Sequence, residues 1–289
     1  MFLQYAIWGA WAPVLSEYLQ NTLGFTGVQY SIIYMLLPIA TIIAPFIGGQ
    51  VADRYFASQK FVGILQLAGG AMLVYISTIT QFSTMALMMS IYCLLYAPTL
   101  ALTNSIAFIN LKSSEKEFGM IRVWGTIGWI IAGYVLLGWR FAAKSVEAGA
   151  FKGDTLLLAG IFSLIMGIQS FTLPHTPPKK EGVKPLAFLE AIKMMKEKNF
   201  LVFIIIAFIV ATELMFYYIL TAPFLTSEKI GVSSTVLPGV MTIAQLAEIS
   251  SLLFFCPISS PGLESEISWL SAYWPGLLAI SSSCLLYTS

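Results

Sequence analysis

Eight apolar segments, each long enough to cross a lipid bilayer, set the fold class of this chain. A membrane-spanning helix needs about 20 mostly apolar residues. The segments lie at 1–20, 27–50, 60–80, 84–109, 120–139, 155–173, 199–225 and 236–256. The 289-residue chain is 58% hydrophobic and only 10% charged, with a mean hydropathy of +0.83, whereas a typical soluble domain carries about 25% charged residues. We therefore predict an all-α polytopic membrane protein.

The net charge and the cysteines exclude several other classes. The formal net charge is +1, so nothing in the composition indicates a nucleic-acid-binding surface. Cys93, Cys256 and Cys284 have neither metal-site nor disulfide spacing. We also find no nucleophile–base pair, no metal-ligand cluster and no nucleotide-binding loop. We expect no cofactor, and a membrane-embedded enzyme or receptor is the less favoured alternative class.

The distribution of basic residues predicts the orientation. Eleven lysines and arginines belong to the even-numbered connections and their helix ends, and four belong to the odd-numbered ones. Because basic residues concentrate in cytoplasmic loops, we expect a cytoplasmic N-terminus. The connection 174–198 holds six of the lysines, and its second half, 185–198, is typical of an amphipathic helix on the membrane surface. Six helices, a basic connector and further helices are the layout of one transporter half joined to the start of another.

Arg122 lies in the apolar stretch that continues to Leu137. An arginine at the centre of a bilayer costs roughly 2.5–3.5 kcal/mol, so such a charge usually faces a partner or a water-filled cavity. At helical spacing, Arg122, Thr126 and Trp129 share one face. That face offers a charge, a hydroxyl and a flat ring, and it predicts a polar binding surface inside the membrane.

The first cytoplasmic loop, 48–55, contains a glycine, three further residues and then Asp-Arg: Gly49, Asp53 and Arg54. This spacing resembles the loop signature of the major facilitator superfamily. The glycine allows two helices to approach closely, and Asp53 is able to cap a helix or pair with a basic group. We interpret the three residues as a conformational latch; the alternative is an ordinary turn with a surface ion pair.

Further motifs resemble the nucleoside:proton symporter family of that superfamily. They lie at 96–104, 121–129 and 173–177, and the segments 8–11 and 243–248 are similar to the family as well. The resemblance implies the major facilitator fold over residues 1–249. It assigns 1–173 to an N-terminal six-helix bundle, 174–198 to a cytoplasmic connector, and 199–249 to helices seven and eight of the second half.

The same resemblance implies a set of residues that line a central cavity. They are Arg122, Thr126, Trp129, Gln245 and Glu248. The family's amides in helix seven are replaced by Met215 and Tyr218, after a retained Glu213, which leaves the preferred nucleoside open. Trp129 or Tyr218 would stack on a base, and Gln245 and Glu248 suit a hydroxylated ribose. Glu248 and Glu213 are the candidates for proton coupling; the alternative is a hydrogen bond between helices.

Three residues of the first helix remain less defined. We expect Glu17, near the outer end of this helix, to be solvated. Trp8 and Trp11 are either interfacial anchors or part of the cavity wall.

The implied function is import of nucleosides with protons across the plasma (inner) membrane by alternating access, by a monomer in the lipid bilayer without nucleic-acid partners. The first alternative is a proton symporter of the same fold for sugars or other small polar solutes. Another is that the chain is a non-functional fragment.

Residues 250–289 change in character. They contain eleven serines and neither lysine nor arginine, where the fold requires a basic loop and a ninth helix. Reading part of this stretch in a shifted frame yields a plausible ninth helix, and residues 284–289 match the translation of a transposon end used in sequencing libraries. We expect an out-of-frame tail on a truncated chain; the alternative is a genuine, divergent tail.

Overall fold

The computed structural model describes residues 1–44, 56–111, 114–143, 153–177 and 194–247. Several predicted features therefore lie outside the described residues: the latch residues Gly49, Asp53 and Arg54, the carboxyl of Glu248, most of the connector, and the tail 250–289.

The regular secondary structure of these ranges is helical. The main helices are α1 (Phe2–Trp11), α2 (Gly27–Ala44), α3 (Ser58–Ile76), α4 (Phe82–Asn110), α5 (Ser114–Ala143), α6 (Asp154–Ser170), α7 (Lys198–Leu225) and α8, which begins as Leu237–Met241 and continues to Ala247. Five of them, α2, α3, α4, α5 and α7, are long and apolar enough to cross a membrane. The prediction of an all-α polytopic membrane protein is confirmed.

Two helices differ from the sequence prediction. The first segment is not one helix over 1–20: α1 ends at Trp11, and a three-residue helix and a five-residue π-helix follow, at Leu15–Glu17 and Tyr18–Thr22. Pro13 lies at the break, because proline has no N–H to donate and its ring clashes with the preceding turn. Helix α5 begins at Ser114, six residues before the predicted start. Arg122 therefore lies more than two turns inside the helix.

The first six helices form one bundle. Helix α1 packs against α5 and α6, α3 packs against α4 and α6, and α2 packs against α4. At its centre lie four fully buried polar side chains, one each from α1, α3, α4 and α6: Gln4, Gln66, Thr99 and Ser163. Gln4 Nε2 donates to Thr99 Oγ1 at 2.9 Å, Gln66 Nε2 donates to Gln4 Oε1 at 3.0 Å, and Ser163 Oγ donates to Gln66 Oε1 at 2.7 Å. Such bonds join helices where no water competes.

A close contact between α1 and α5 sets the position of the Arg122 face. A Cβ on Gly128 would collide with the carbonyl oxygen of Phe2, and one on Gly9 would lie 2.8 Å from the Cα of Trp129. Only glycine permits this approach of the two backbones. Helices α7 and α8 then pack on the same side, α7 against Leu15–Glu17 and α2, and α8 against α5.

Candidate functional site

Arg122 is exposed and lies over an aromatic ring of the neighbouring helix α1. Its Cζ is 4.2 Å from the centroid of the Tyr5 ring, which is within cation–π range. A ring attracts the guanidinium without occupying its N–H donors in the way that a carboxylate does. Arg122 therefore keeps donors for a further partner.

Thr126 and Trp129 follow Arg122 along the same face of α5 and are both buried, with 7% and 6% of their surface exposed. With a rise of about 1.5 Å per residue, Trp129 lies roughly 10 Å deeper along the helix than Arg122. The predicted shared face is thus present, and it runs from an exposed charge to a buried ring.

Three aromatic side chains from three helices meet at Trp129. The ring of Trp8 on α1 stands edge-on to it, with centroids 5.4 Å apart. The ring of Tyr218 on α7 stacks against it at 5.7 Å and an interplanar angle of 29°. Trp8 and Tyr218 are themselves 6.3 Å apart. Trp129 and Tyr218, predicted separately as base-stacking residues, therefore belong to one cluster, which we call the aromatic cluster (Trp8, Trp129 and Tyr218).

Gln245 reaches the same depth from helix α8. Thr242 of α8 contacts the position of Gly133 on α5, and the two helices run in opposite directions. Three residues further along α8 correspond to a shift of about 4.5 Å, which brings Gln245 towards the level of Trp129. Gln245 is 9% exposed. Helix α8 thus places an amide at the depth of the aromatic cluster.

Two polar atoms at this level have no hydrogen-bond partner within the described chain: Trp129 Nε1 and Gln245 Oε1, both fully buried. Buried polar atoms are nearly always paired, so each exception requires an explanation. Trp11, Tyr18, Tyr92 and Asn104 also carry such atoms, so an orphaned atom alone does not mark a site. Here one orphan belongs to the aromatic cluster and the other lies at a similar depth on α8. A flat aromatic surface with a few polar groups is the composition of a pocket for a small polar aromatic ligand.

Comparison with known proteins agrees with this geometry. The family described as "Nucleoside H+ symporter" matches residues 1–260. The chain belongs to this family. It is 36% identical over 258 residues to "Putative nucleoside transporter YegT" of Escherichia coli K12, which covers 88% of this chain and 59% of the relative. It is 29% identical over 288 residues to the xanthosine permease of the same organism, covering 93% and 67%.

A solved structure supports the fold. The crystal structure of the nucleoside transporter NupG superimposes with a TM-score of 0.72 at 28% sequence identity, covering 89% of this chain and 64% of that one. The nucleoside permease NupG of Escherichia coli is 29% identical over 268 residues. The predicted major facilitator fold is thereby confirmed. The chain spans 59% to 67% of the length of these curated relatives.

Of the two candidate proton-coupling residues, the structure describes Glu213 and not Glu248. Glu213 is partly buried on α7, four residues before the buried Tyr217. No ion pair within the described ranges involves it. Glu248 directly follows the last described residue, Ala247. The role of each carboxyl stays a prediction.

Tyr5 is not among the residues predicted from the sequence, and Trp8 has two alternative predicted roles. Their spacing of three residues puts both on one face of α1, the face that meets Arg122 and Trp129. That spacing was the available signal. Trp8 belongs to the aromatic cluster rather than to an interfacial belt, whereas Trp11 is buried inside the six-helix bundle against Tyr34, with ring centroids 6.1 Å apart.

One expectation about α1's continuation is wrong. Glu17 is not solvated, because its side chain is only 5% exposed and lies 3.7 Å from Arg140. This contact could not be predicted from the sequence pattern, because the two residues are 123 positions apart.

Proposed function

We propose that the protein imports nucleosides together with protons, by alternating access around a site between α1, α5, α7 and α8. The observation that carries this proposal is the aromatic cluster, which joins the six-helix bundle to α7. It contains one orphaned polar atom, Trp129 Nε1, and a second, Gln245 Oε1, lies at a similar depth. A nucleoside offers a flat base and several hydroxyl groups, which match these features. The names of the relatives, nucleoside transporters and a xanthosine permease, agree with it.

Each side chain has a role in this proposal. The base stacks on Trp129 or Tyr218, replacing part of their mutual contact. Trp129 Nε1 donates a hydrogen bond and Gln245 Oε1 accepts one, so both orphaned atoms gain partners. Thr126 and Arg122 contribute donors on the way to the exposed end of α5, and Glu248 binds ribose hydroxyls.

Proton coupling requires a carboxyl that is charged in one state and neutral in another. Glu248 and Glu213 are the candidates, and Arg122 is the candidate cation, which favours the charged form of whichever carboxyl approaches it. A movement that separates the two would release this preference and allow protonation. The equilibrium between the two conformations is then coupled to protonation of this carboxyl.

The remaining parts of the layout follow from the sequence. The N-terminus is cytoplasmic, and the Arg122 end of α5 faces the cytoplasm. Residues 1–173 move as one bundle, 174–198 form the cytoplasmic connector, and Gly49, Asp53 and Arg54 form a latch in the first cytoplasmic loop. The protein acts as a monomer in the plasma (inner) membrane.

Uptake of radiolabelled nucleosides tests the proposal. The protein is expressed from its native gene in a host deficient in nucleoside uptake, and labelled uridine, adenosine and xanthosine are supplied with and without a proton uncoupler. We expect uptake of at least one nucleoside that the uncoupler abolishes. Uptake of a labelled sugar with no nucleoside uptake would favour the alternative symporter, and nucleoside uptake that is insensitive to the uncoupler would contradict proton coupling. The Trp129→Ala variant, with its membrane level matched, serves as the negative control.

A further inference from the structure

The end of α5 opposite Arg122 carries a second arginine in a different environment. Arg140 donates from Nε and Nη2 to the two carboxylate oxygens of Asp154, at 2.6 and 2.9 Å. The two side chains are 12% and 6% exposed. This bidentate pair joins α5 to the first residue of α6, within the six-helix bundle, and fixes the direction of the guanidinium.

The remaining nitrogen of Arg140, Nη1, contacts a residue outside the six-helix bundle. Nη1 donates to the carbonyl oxygen of Ser234 at 2.7 Å and lies 3.7 Å from the carboxylate of Glu17. The hydroxyl of Ser234 donates in turn to Glu17 Oε1 at 2.6 Å. Ser234 belongs to the connection between α7 and α8. A single serine is thus held, through its backbone and its side chain, by two charged residues of the six-helix bundle.

A second contact holds the other end of the same connection. Asn21 Nδ2 donates to Thr226 Oγ1 at 3.1 Å, and Ser16 Oγ donates to the carbonyl oxygen of Tyr218 at 3.1 Å. The segment that follows α1 therefore contacts α7 and both ends of the connection 226–236. These contacts lie at the same end of the molecule as Arg140.

Helix α7 is arranged differently towards its start. Tyr217, Tyr218 and Ala222, in its second half, are buried. Its first half presents large apolar side chains that are exposed within the described chain; they are Leu201, Val202, Phe203, Ile205, Ile206, Phe208 and Ile209. The six-helix bundle and α7 are thus in contact at the Arg140 end and apart at the Arg122 end.

We propose that Arg140, Glu17 and Ser234 form the outer gate of the transporter, with Asp154 as the residue that positions Arg140. This inference rests on the proposed function, because only a transporter needs such a gate. That the gate is on the outer side rests on the proposed orientation. In the arrangement described here the gate is closed, and it must open before a nucleoside reaches the aromatic cluster from outside.

The division of contacts explains how such a gate opens reversibly. All three charged residues belong to the six-helix bundle, so they stay together when α7 and α8 move away. Of the bonds made by these charged residues, opening breaks only those to Ser234, and the other bonds that break, from Asn21 and Ser16, join neutral groups. No charge loses its counter-charge. A gate that separated an ion pair in a low-dielectric region would pay the desolvation cost of both ions, whereas water entering the opened cleft replaces the bonds to one serine.

A cysteine beneath the gate tests this inference without any substrate. Thr242 is 2% exposed and, with Gly9, Pro13, Trp129 and Pro238, lines a small space between α1, α5 and α8. The Thr242→Cys variant is made after the three native cysteines are replaced by alanine. A membrane-impermeant maleimide is then added from outside to right-side-out vesicles, and the labelling rate is measured.

We expect slow labelling of the parent, and faster labelling when the gate is weakened. Ser234→Ala removes one hydrogen bond and Glu17→Ala removes that bond and a charge, so the rate rises by about 5- to 10-fold or more. Gln59→Ala is the matched control, because it removes a 2.8 Å contact with His175 at the other end of the six-helix bundle. This control leaves the rate unchanged.

Folding failure and failure of the proposed function are kept separate. If Glu17→Ala does not reach the membrane, Asn21→Ala replaces it, since it breaks a second bond to the same connection at an exposed position. Equal labelling of the parent, Ser234→Ala and Asn21→Ala would overturn the gate. Faster labelling in a protein that transports no nucleoside would support the gate and contradict only the proposed function.

Discussion

Helix α5 carries one arginine in its first half and another near its end, and the two make opposite kinds of contact. Arg122 is exposed and lies over the ring of Tyr5. Arg140 is largely buried, and its donors are directed to Asp154, Glu17 and Ser234. The same side chain therefore serves at one end as a cation with donors to spare and at the other as a connector whose donors are engaged.

The difference shows that the partner, rather than the charge, determines what an arginine in a membrane helix does. A carboxylate matches the planar fork of the guanidinium and fixes it. An aromatic ring holds the same group weakly and leaves its edges open. The end of α5 with the ring is suited to bind a ligand, and the end with the carboxylates is suited to hold two parts of the protein together.

Removing the carboxylate that fixes Arg140 is expected to have the largest effect. Asp154→Ala leaves a buried guanidinium without its bidentate partner, and breaking a buried pair in this way costs about 3–5 kcal/mol. We expect a lower thermal midpoint of the detergent-solubilised protein and a lower level in the membrane. Asp154→Asn keeps one acceptor oxygen, so its thermal midpoint should lie between those of Asp154→Ala and the parent. Unchanged stability in both would remove the distinction between the two arginines.

At the opposite end, Arg122→Ala should reduce transport rather than stability. Losing a charged hydrogen-bond donor to a ligand or carboxylate costs about 1.5–3 kcal/mol, which lowers nucleoside uptake by roughly 10- to 100-fold. The thermal midpoint should stay close to that of the parent, because the guanidinium is exposed. Arg122→Lys keeps the charge without the planar fork and should restore part of the uptake. Normal uptake by Arg122→Ala at a normal membrane level would exclude it from the mechanism.

Between the two ends, Trp129 tests whether the aromatic cluster faces a ligand. Trp129→Phe keeps a stacking surface but loses the indole N–H, and Trp129→Leu loses the aromatic ring as well. If stacking and the orphaned donor each contribute about 1 kcal/mol, the KM for uptake rises by about 5-fold in the first variant and more in the second. Equal KM values for the parent and both variants would place the ligand elsewhere.

The smallest expected effect comes from Tyr5. Tyr5→Leu removes the ring beneath Arg122, and an exposed cation–π contact is worth about 0.5–1 kcal/mol. Uptake should fall by about 2- to 5-fold, while Tyr5→Phe retains most of the activity because the ring remains. Kinetics of labelled nucleoside uptake at matched membrane levels decide the matter. If Tyr5→Leu lowered uptake as much as Arg122→Ala does, the hydroxyl or the packing of Tyr5 would have a role of its own.

The sequence predicted what depends on neighbours along the chain. Hydropathy located the membrane helices, and the i, i+4, i+7 spacing placed Arg122, Thr126 and Trp129 on one face, as the structure has them. The helix break at Pro13 was not predicted, because hydropathy does not register the missing N–H of a proline inside an apolar segment. The roles of Gly49, Asp53, Arg54 and Glu248 stay predictions.

Contacts between distant positions were beyond such reasoning. Glu17 looked solvated because its partners Arg140 and Ser234 follow 123 and 217 residues later. Periodicity reports which residues share a face of one helix, but it does not report which helix lies opposite. For the same reason, Tyr5 and Trp8 acquired their significance only once α1 was seen to pack against α5.

The buried polar cluster at the centre of the six-helix bundle bears on how the protein is made. Gln4 leaves the ribosome before Ser163, which completes the cluster and follows 159 residues later. At about 5–20 residues per second, that interval lasts roughly 10–30 s. During this time the amide of Gln4 has no completed set of partners and a bare amide in lipid is costly, so we expect the first helix to be retained beside the insertion machinery until the sixth arrives.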